Sequence, residues 1–148
     1  MENYQPTSIL LIEDNPDHAD LTRRALKNGG MLNEVIWVKD GEEALEYLGQ
    51  SGRHGAARGP RPGLILLDIK LPKIDGPDVL RRIKSDERLR AIPVVMLTTS
   101  AAADDVKRCY AIGVNSFITK PVNFTDFMEK INAVKLYWLL TNRLPQPE

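Results

Sequence analysis

The sequence predicts an α/β fold in which a doubly wound, five-stranded parallel sheet is flanked by helices. Short apolar runs alternate five times with amphipathic stretches of helical spacing. Continuous apolar runs are typical of parallel strands that are buried on both faces. Strict alternation of strand and helix predicts helices on both sides of the sheet. Because crossovers are right-handed, few topologies remain, and the strand order 2-1-3-4-5 is favoured.

The predicted strands are short and rich in Val, Ile and Leu. They cover residues 8–12, 35–38, 64–67, 94–97 and 116–119. The first helix begins at Asn15-Pro16, where an N-cap residue precedes a proline at the first helical position. It is expected to turn Leu21, Ala25 and Leu26 inward and to stop at Gly29-Gly30.

Each later strand is also followed by a predicted helix. These helices cover residues 41–48, 78–84, 100–112 and 123–138. Ser100 is the expected cap of the fourth helix and Gly113 its stop signal. Asn123, with Asp126 three residues later, begins the last helix.

The connection 49–63 is unusually long for a βα unit, where 2–6 residues are common. It holds five glycines, two prolines, three arginines and a histidine, and no acid. Two interpretations stay open: a solvated tip, or a basic contact surface for an acidic partner.

Composition sets the broad class. The 148 residues fit one domain, residues 1–148, and the 20 basic and 20 acidic side chains cancel. A zero balance argues against nucleic-acid binding, which needs a clustered basic excess. No apolar run approaches the ~20 residues of a membrane span, and the N-terminus lacks the pattern of a signal peptide. The single cysteine, Cys109, is interpreted as a packing residue and favours a reducing, cytoplasmic location.

Charged residues directly follow three of the predicted strands. The pair Glu13-Asp14 ends the first strand, Asp68 ends the third, and Lys120-Pro121 ends the fifth. In an open parallel sheet, ligand sites lie outside the carboxyl ends of the strands. The sequence therefore predicts that three acids and one cation meet at one rim.

This set of charges points to phosphoryl chemistry. Three neighbouring carboxylates repel one another, and a hard divalent cation relieves that repulsion; carboxylate oxygens, backbone carbonyls and waters suit Mg²⁺. Lys120 adds a compact positive charge. Together they would stabilise a transferring phosphoryl group, so Asp68 is predicted to be the nucleophile that forms an aspartyl phosphate. Thr98 offers a hydroxyl to a phosphoryl oxygen.

These residues lie within motifs that resemble the receiver domain of two-component response regulators, over essentially the whole chain. The matching motifs are Ile12-Glu13-Asp14, Leu67-Asp68-Ile69-Lys70-Leu71-Pro72 with Asp75-Gly76, Pro93-Val94-Val95-Met96-Leu97-Thr98, and Phe117-Ile118-Thr119-Lys120-Pro121. The resemblance implies a flavodoxin-like fold. It implies that Asp68 is the phospho-acceptor and that Asp14, Asp68 and the backbone carbonyl of Lys70 bind Mg²⁺ directly, with Glu13 acting through a water.

The resemblance also implies roles at the other strand ends. Thr98 and Lys120 would hold the phosphoryl group, and Phe117 would be the aromatic switch, although it lacks the hydroxyl of the tyrosine often found there. The residues that tune hydrolysis in this family are here Lys70 and Ser100. Neither is a carboxylate, so slow self-hydrolysis of the acyl phosphate is expected.

Three features resemble stand-alone receivers that are paired with bacterial phytochromes: the long connection 49–63, Leu97-Thr98-Thr99-Ser100 and the terminal Tyr137-Trp138-Leu139. This implies a single-domain response regulator without an output domain, which receives its phosphoryl group from a sensor histidine kinase and signals through protein contacts. A phosphorelay intermediate that passes phosphate to a histidine phosphotransfer protein is the alternative. A phosphohydrolase of the haloacid dehalogenase type is a distant one, because Lys70 stands where such enzymes have a second acid.

The segment 136–140 is apolar all round a predicted helix, more than one face of a sheet can cover. A homodimer seam with Tyr137, Trp138 and Leu139 is one interpretation. Burial by a loop of the same chain is the other.

Overall fold

The computed structural model describes residues 4–5, 7–31, 33–49, 59–99, 103–133 and 144–145. It confirms the predicted fold: the five parallel strands stand in the order β2-β1-β3-β4-β5. The strands are β1 Ile9–Ile12, β2 Val35–Val38, β3 Leu64–Asp68, β4 Val94–Thr98 and β5 Ser116–Thr119. The helices are α1 Pro16–Asn28, α2 Gly41–Tyr47, α3 Gly76–Lys84, α4 Ala103–Ile112 and α5 Phe124–Ala133. A separate antiparallel pair joins Tyr4–Gln5 to Leu144–Pro145.

The sheet is buried on both faces, as its apolar runs predicted. Successive side chains of a strand point to opposite faces. Leu10, Ile12 and Ile65 accordingly belong to the core that contains residues of α2, α3 and α4, whereas Ile9 and Leu11 belong to the core with α1 and α5. Burying each such side chain contributes roughly 1.5–3 kcal/mol. Among the described helices, none combines the length and the apolar character that crossing a membrane requires.

The inward face of α1 differs from the prediction. Ala19, Thr22 and Leu26 are buried, but Leu21 is 49% exposed and Ala25 only partly buried. The expectation for Leu21 was wrong because five residues separate it from Leu26. At 3.6 residues per turn, that separation rotates the side chain by about 140° around the helix axis.

Two strands and one helix differ from the predicted bounds in ways that matter for the rim. β3 and β4 each extend by one residue, so Asp68 and Thr98 are still held by the sheet. α3 begins at Gly76, earlier than the predicted Asp78, because the Asp75 side chain accepts a hydrogen bond from the Gly76 N–H and caps the helix.

Several predicted features fall on residues that the structure does not describe. Residues 50–58 of the basic connection, the cap Ser100, and the extension of the last helix through residues 134–140 lie outside the described ranges. The proposed dimer seam at residues 137–139 is among them.

Candidate functional site

The acidic pair directly follows β1, and β2 holds it in place. The Glu13 backbone N–H donates to the Val38 carbonyl at 3.1 Å, and the Glu13 carbonyl accepts from the indole Nε1 of Trp37 at 2.7 Å. The Glu13 side chain is fully buried, and its Oε2 accepts from the Asn15 N–H at 3.2 Å. Asp14 is exposed. One acid therefore faces the protein interior and the next faces solvent.

Asp68 ends β3 with only 5% of its surface exposed. Its Oδ1 accepts from the Lys70 N–H at 3.3 Å. Behind it, the first residue of α3 packs directly on the strand end: a Cβ on Gly76 would stand 2.4 Å from the Asp68 carbonyl oxygen and 2.6 Å from that of Ile69. No real Cβ tolerates such a contact with backbone, so this close approach explains the glycine of the Asp75-Gly76 motif.

Lys120 directly follows β5 and reaches across the rim. Its backbone N–H donates to the Thr98 carbonyl at 2.8 Å, and its peptide bond to Pro121 is cis. The buried ammonium Nζ donates to Glu13 Oε1 at 2.6 Å and to Asp68 Oδ2 at 3.2 Å, and it lies 3.0 Å from Nδ1 of His18. An ammonium has three N–H donors. All three have an acceptor here when Nδ1 of His18 is unprotonated.

The buried carboxyl of Glu13 has a perturbed pKa. Burial, reinforced by the hydrogen bond with Asp68, raises the pKa of Glu13 from 4.5 to about 7, although the bond to Lys120 acts in the opposite direction. One carboxylate oxygen from each of Glu13, Asp14 and Asp68 lies within 4.8 Å of the others. Hard oxygen donors in this number fit a divalent cation such as Mg²⁺, and such a cation would offset the repulsion.

These groups line an open cleft of about 230 Å³, whose walls are the β1–α1 loop, residues 68–70, Thr99 and Lys120. A second, mainly apolar hollow of about 260 Å³ shares His18, Thr99 and Lys120 with it, and the exposed Leu21 contributes to its lining.

The other predicted site residues lie around this cleft. Thr98 is 1% exposed at the end of β4, and its neighbour Thr99 lines the cleft instead. Phe117 is partly buried in β5, and its ring stacks on Tyr110 of α4 with 5.4 Å between centroids and a tilt of 48°. Lys70 lines the cleft, and its backbone N–H bonds to Asp68 Oδ1. The functional roles assigned to these residues stay predictions.

Two residues at the site, His18 and Trp37, were not predicted from the sequence. His18 lies three residues after the cap Asn15, so the first turn of α1 brings it back to the rim; that spacing could have found it. Trp37 pairs with Leu11 in the sheet register, one residue before β1 ends. Its bond to the Glu13 carbonyl depends on a side-chain direction that no sequence pattern reveals.

Comparison with known proteins decides the family. The family model of the response regulator receiver domain matches residues 9–132. The chain belongs to the response regulator receiver family. It is 46% identical over 147 residues to the probable methanogenesis regulatory protein FilR2 of Methanothrix harundinacea. That alignment covers 99% of this chain and 93% of FilR2. It is 41% identical over 144 residues to response regulator Rcp1 of Synechocystis sp., with 97% of each chain covered.

Solved structures agree. The bacteriophytochrome response regulator AtBRR superposes with a TM-score of 0.81 at 45% identity, covering 93% of this chain and 99% of that one. The Mn²⁺-bound form of Rcp1 superposes with a TM-score of 0.73 at 41% identity, covering 95% and 100%. Receiver domains are signalling phospho-acceptors rather than classical enzymes, interact with histidine kinases, and bind a divalent metal in an acidic pocket.

Proposed function

We propose that this chain is a single-domain response regulator that accepts a phosphoryl group on Asp68 from a sensor histidine kinase. The observation that carries the proposal is the cluster itself: three carboxylates within 4.8 Å of one another, beside the buried ammonium of Lys120. Asp68 is the one acid of the three that ends the central strand and touches Lys120 while lining the open cleft.

The chemistry follows from these positions. A carboxylate oxygen of Asp68 attacks the phosphorus of a phosphohistidine, the P–N bond breaks, and the imidazole leaves with its electron pair and takes up a proton. Lys120 lies within hydrogen-bond distance of Asp68 and would neutralise charge on an outer oxygen of the group in transit. The hydroxyl of Thr98, at the end of the neighbouring strand, would hold the acquired phosphoryl group.

Mg²⁺ is the proposed cofactor. Asp14, Asp68 and the backbone carbonyl of Lys70 would hold it, with Glu13 behind a water. When bound, it supplies positive charge to the phosphoryl oxygens and removes the repulsion among the acids. The Mn²⁺-bound form of the relative Rcp1 supports a divalent site in this family.

The kinase is proposed to be a phytochrome. The support is the likeness to AtBRR, a structure described as a bacteriophytochrome response regulator. The matches to FilR2, Rcp1 and AtBRR span 93% or more of each relative. Output would then pass through protein contact at α4, β5 and α5, where Phe117 stacks on the exposed Tyr110.

Replacing Asp68 by Asn tests the acceptor. We expect wild-type protein to gain an acid-labile label from a small phosphodonor when Mg²⁺ is present, and to gain none when EDTA has removed the Mg²⁺. Asp68→Asn should gain no label in either condition. Asp104→Asn, on the exposed first turn of α4, is the matched control and should label normally. Full labelling of folded Asp68→Asn would contradict the assignment.

A relay role is the second candidate and needs a separate experiment. Phosphorylated wild-type protein is mixed with a purified histidine phosphotransfer protein. Rapid transfer of the label to that protein would favour the relay, whereas retention of the label on Asp68 would favour signalling by contact.

A further inference from the structure

The metal-binding loop is attached to β2 by both main-chain groups of one residue. The Glu13 N–H bonds to the Val38 carbonyl, which continues the ladder between the two strands. The Glu13 carbonyl bonds instead to a side chain, the indole N–H of Trp37, at 2.7 Å. At this short distance the bond is well formed. Trp37 thus holds the peptide that connects Glu13 to Asp14.

That peptide matters because it orients an acid that has little else to orient it. Peptide groups are planar, so the Glu13 carbonyl and the Asp14 N–H lie in one plane, and fixing the first fixes the starting direction of the second residue. Within the described parts of the chain, no hydrogen bond or ion pair engages the Asp14 carboxylate, and Asp14 is exposed. Its direction toward the cleft therefore depends on the backbone.

Trp37 is itself held from two sides. It is partly buried and packs on the core formed with α1 and α5. From the solvent side, the guanidinium carbon of Arg23 in α1 lies 5.5 Å from the ring centroid, a cation–π distance. Both contacts are made by the indole in the orientation in which its N–H reaches the Glu13 carbonyl.

We propose that Trp37 is a positioning residue for the divalent-metal site: its indole N–H sets the Glu13–Asp14 peptide so that the acidic pair presents its carboxylates to the metal. This inference rests on the metal site of the proposed function. Trp37, which then contributes to metal affinity, lies on the edge strand β2 and outside the family motifs given above. Groups behind the ligands commonly affect metal affinity in this manner.

Trp37→Phe separates the bond from the packing, because phenylalanine keeps an aromatic ring on the core and under Arg23 but has no N–H. We expect the Kd for Mg²⁺ or Mn²⁺, measured by calorimetry with the metal alone, to weaken by about 3- to 10-fold, the effect of losing one hydrogen bond. Tyr47→Phe is the matched control. It removes another bond from an aromatic side chain to a backbone carbonyl, Tyr47 to Pro60 at 2.9 Å, far from the acidic rim, and should leave the Kd unchanged.

An unchanged Kd in folded Trp37→Phe overturns the inference, and so does an equal weakening in Tyr47→Phe, since that would show a general loss of stability. Either result leaves the labelling of Asp68 unaffected, so the two proposals fail separately. If the wild type binds no metal, the metal site is contradicted in both proposals.

A spectroscopic measurement does not depend on the folding of Trp37→Phe. The chain has two tryptophans, so Trp138→Phe leaves Trp37 as the single indole. We expect its emission to change saturably with Mg²⁺, with the same Kd as in calorimetry, because the charge of the bound ion acts through the Glu13–Asp14 peptide on the indole that is bonded to it. Emission that stays constant through saturation would overturn the inference.

Discussion

Glu13→Gln should stabilise the metal-free protein at alkaline pH. The pKa of Glu13 is about 7 in the folded protein against 4.5 for an ordinary glutamate, chiefly because the side chain is buried. The folded state therefore binds more protons than the unfolded state between these values, and wild-type stability falls as pH rises through that window. At about 1.4 kcal/mol per pH unit, the loss reaches at most about 3 kcal/mol above pH 7. Glutamine resembles the protonated carboxyl and does not ionise, so the variant does not undergo this loss of stability.

Urea unfolding in EDTA at pH 5 and pH 8 measures this difference. We expect the advantage of Glu13→Gln over wild type to be small at pH 5 and to approach the full value at pH 8. Glu87→Gln changes an exposed carboxyl and should show no such growth with pH. Adding saturating Mg²⁺ should narrow or reverse the difference, because the cation stabilises the wild-type acidic cluster more. An advantage that stays constant or shrinks from pH 5 to pH 8 would refute the electrostatic argument.

Three further outcomes are expected. Gly76→Ala should destabilise the protein by about 1–3 kcal/mol in urea unfolding, because its Cβ would stand 2.4 Å from the Asp68 carbonyl oxygen; wild-type stability would count against the tight packing of α3 on β3. Ser100→Glu should shorten the lifetime of the acyl phosphate by placing a carboxylate near the attacking water, and equal decay rates would reject this. In sedimentation, wild type should be a dimer, and the variant that combines Trp138→Ala with Leu139→Ala should be a monomer. A monomeric wild type would favour the alternative that the apolar segment 136–140 is buried by a loop of the same chain.

Local sequence patterns predicted the structure correctly wherever a single physical rule governs the element. The apolar runs around Leu66 and Met96 were predicted to be buried strands, and both are. The cap Asn15-Pro16 placed the start of α1 correctly. Asp68 was predictable for the same reason: a charged residue at the end of a buried strand must emerge at the rim. The prediction failed at Leu21, where a simple count of apolar residues competed with the rotation of the helix.

The sequence by itself determined the strands, their order and the three strand ends that carry acids and a cation, because burial of continuous apolar runs and right-handed crossovers leave little freedom. Only the tertiary structure decided how those side chains are connected: the raised pKa of Glu13, the contact of His18 with Lys120, and the bond from Trp37 to the acidic loop. Each depends on distances between residues far apart in the chain. Such distances arise from the packing of helices and strands against one another. They cannot be derived from the periodicity of the sequence or from the residue type at a single position.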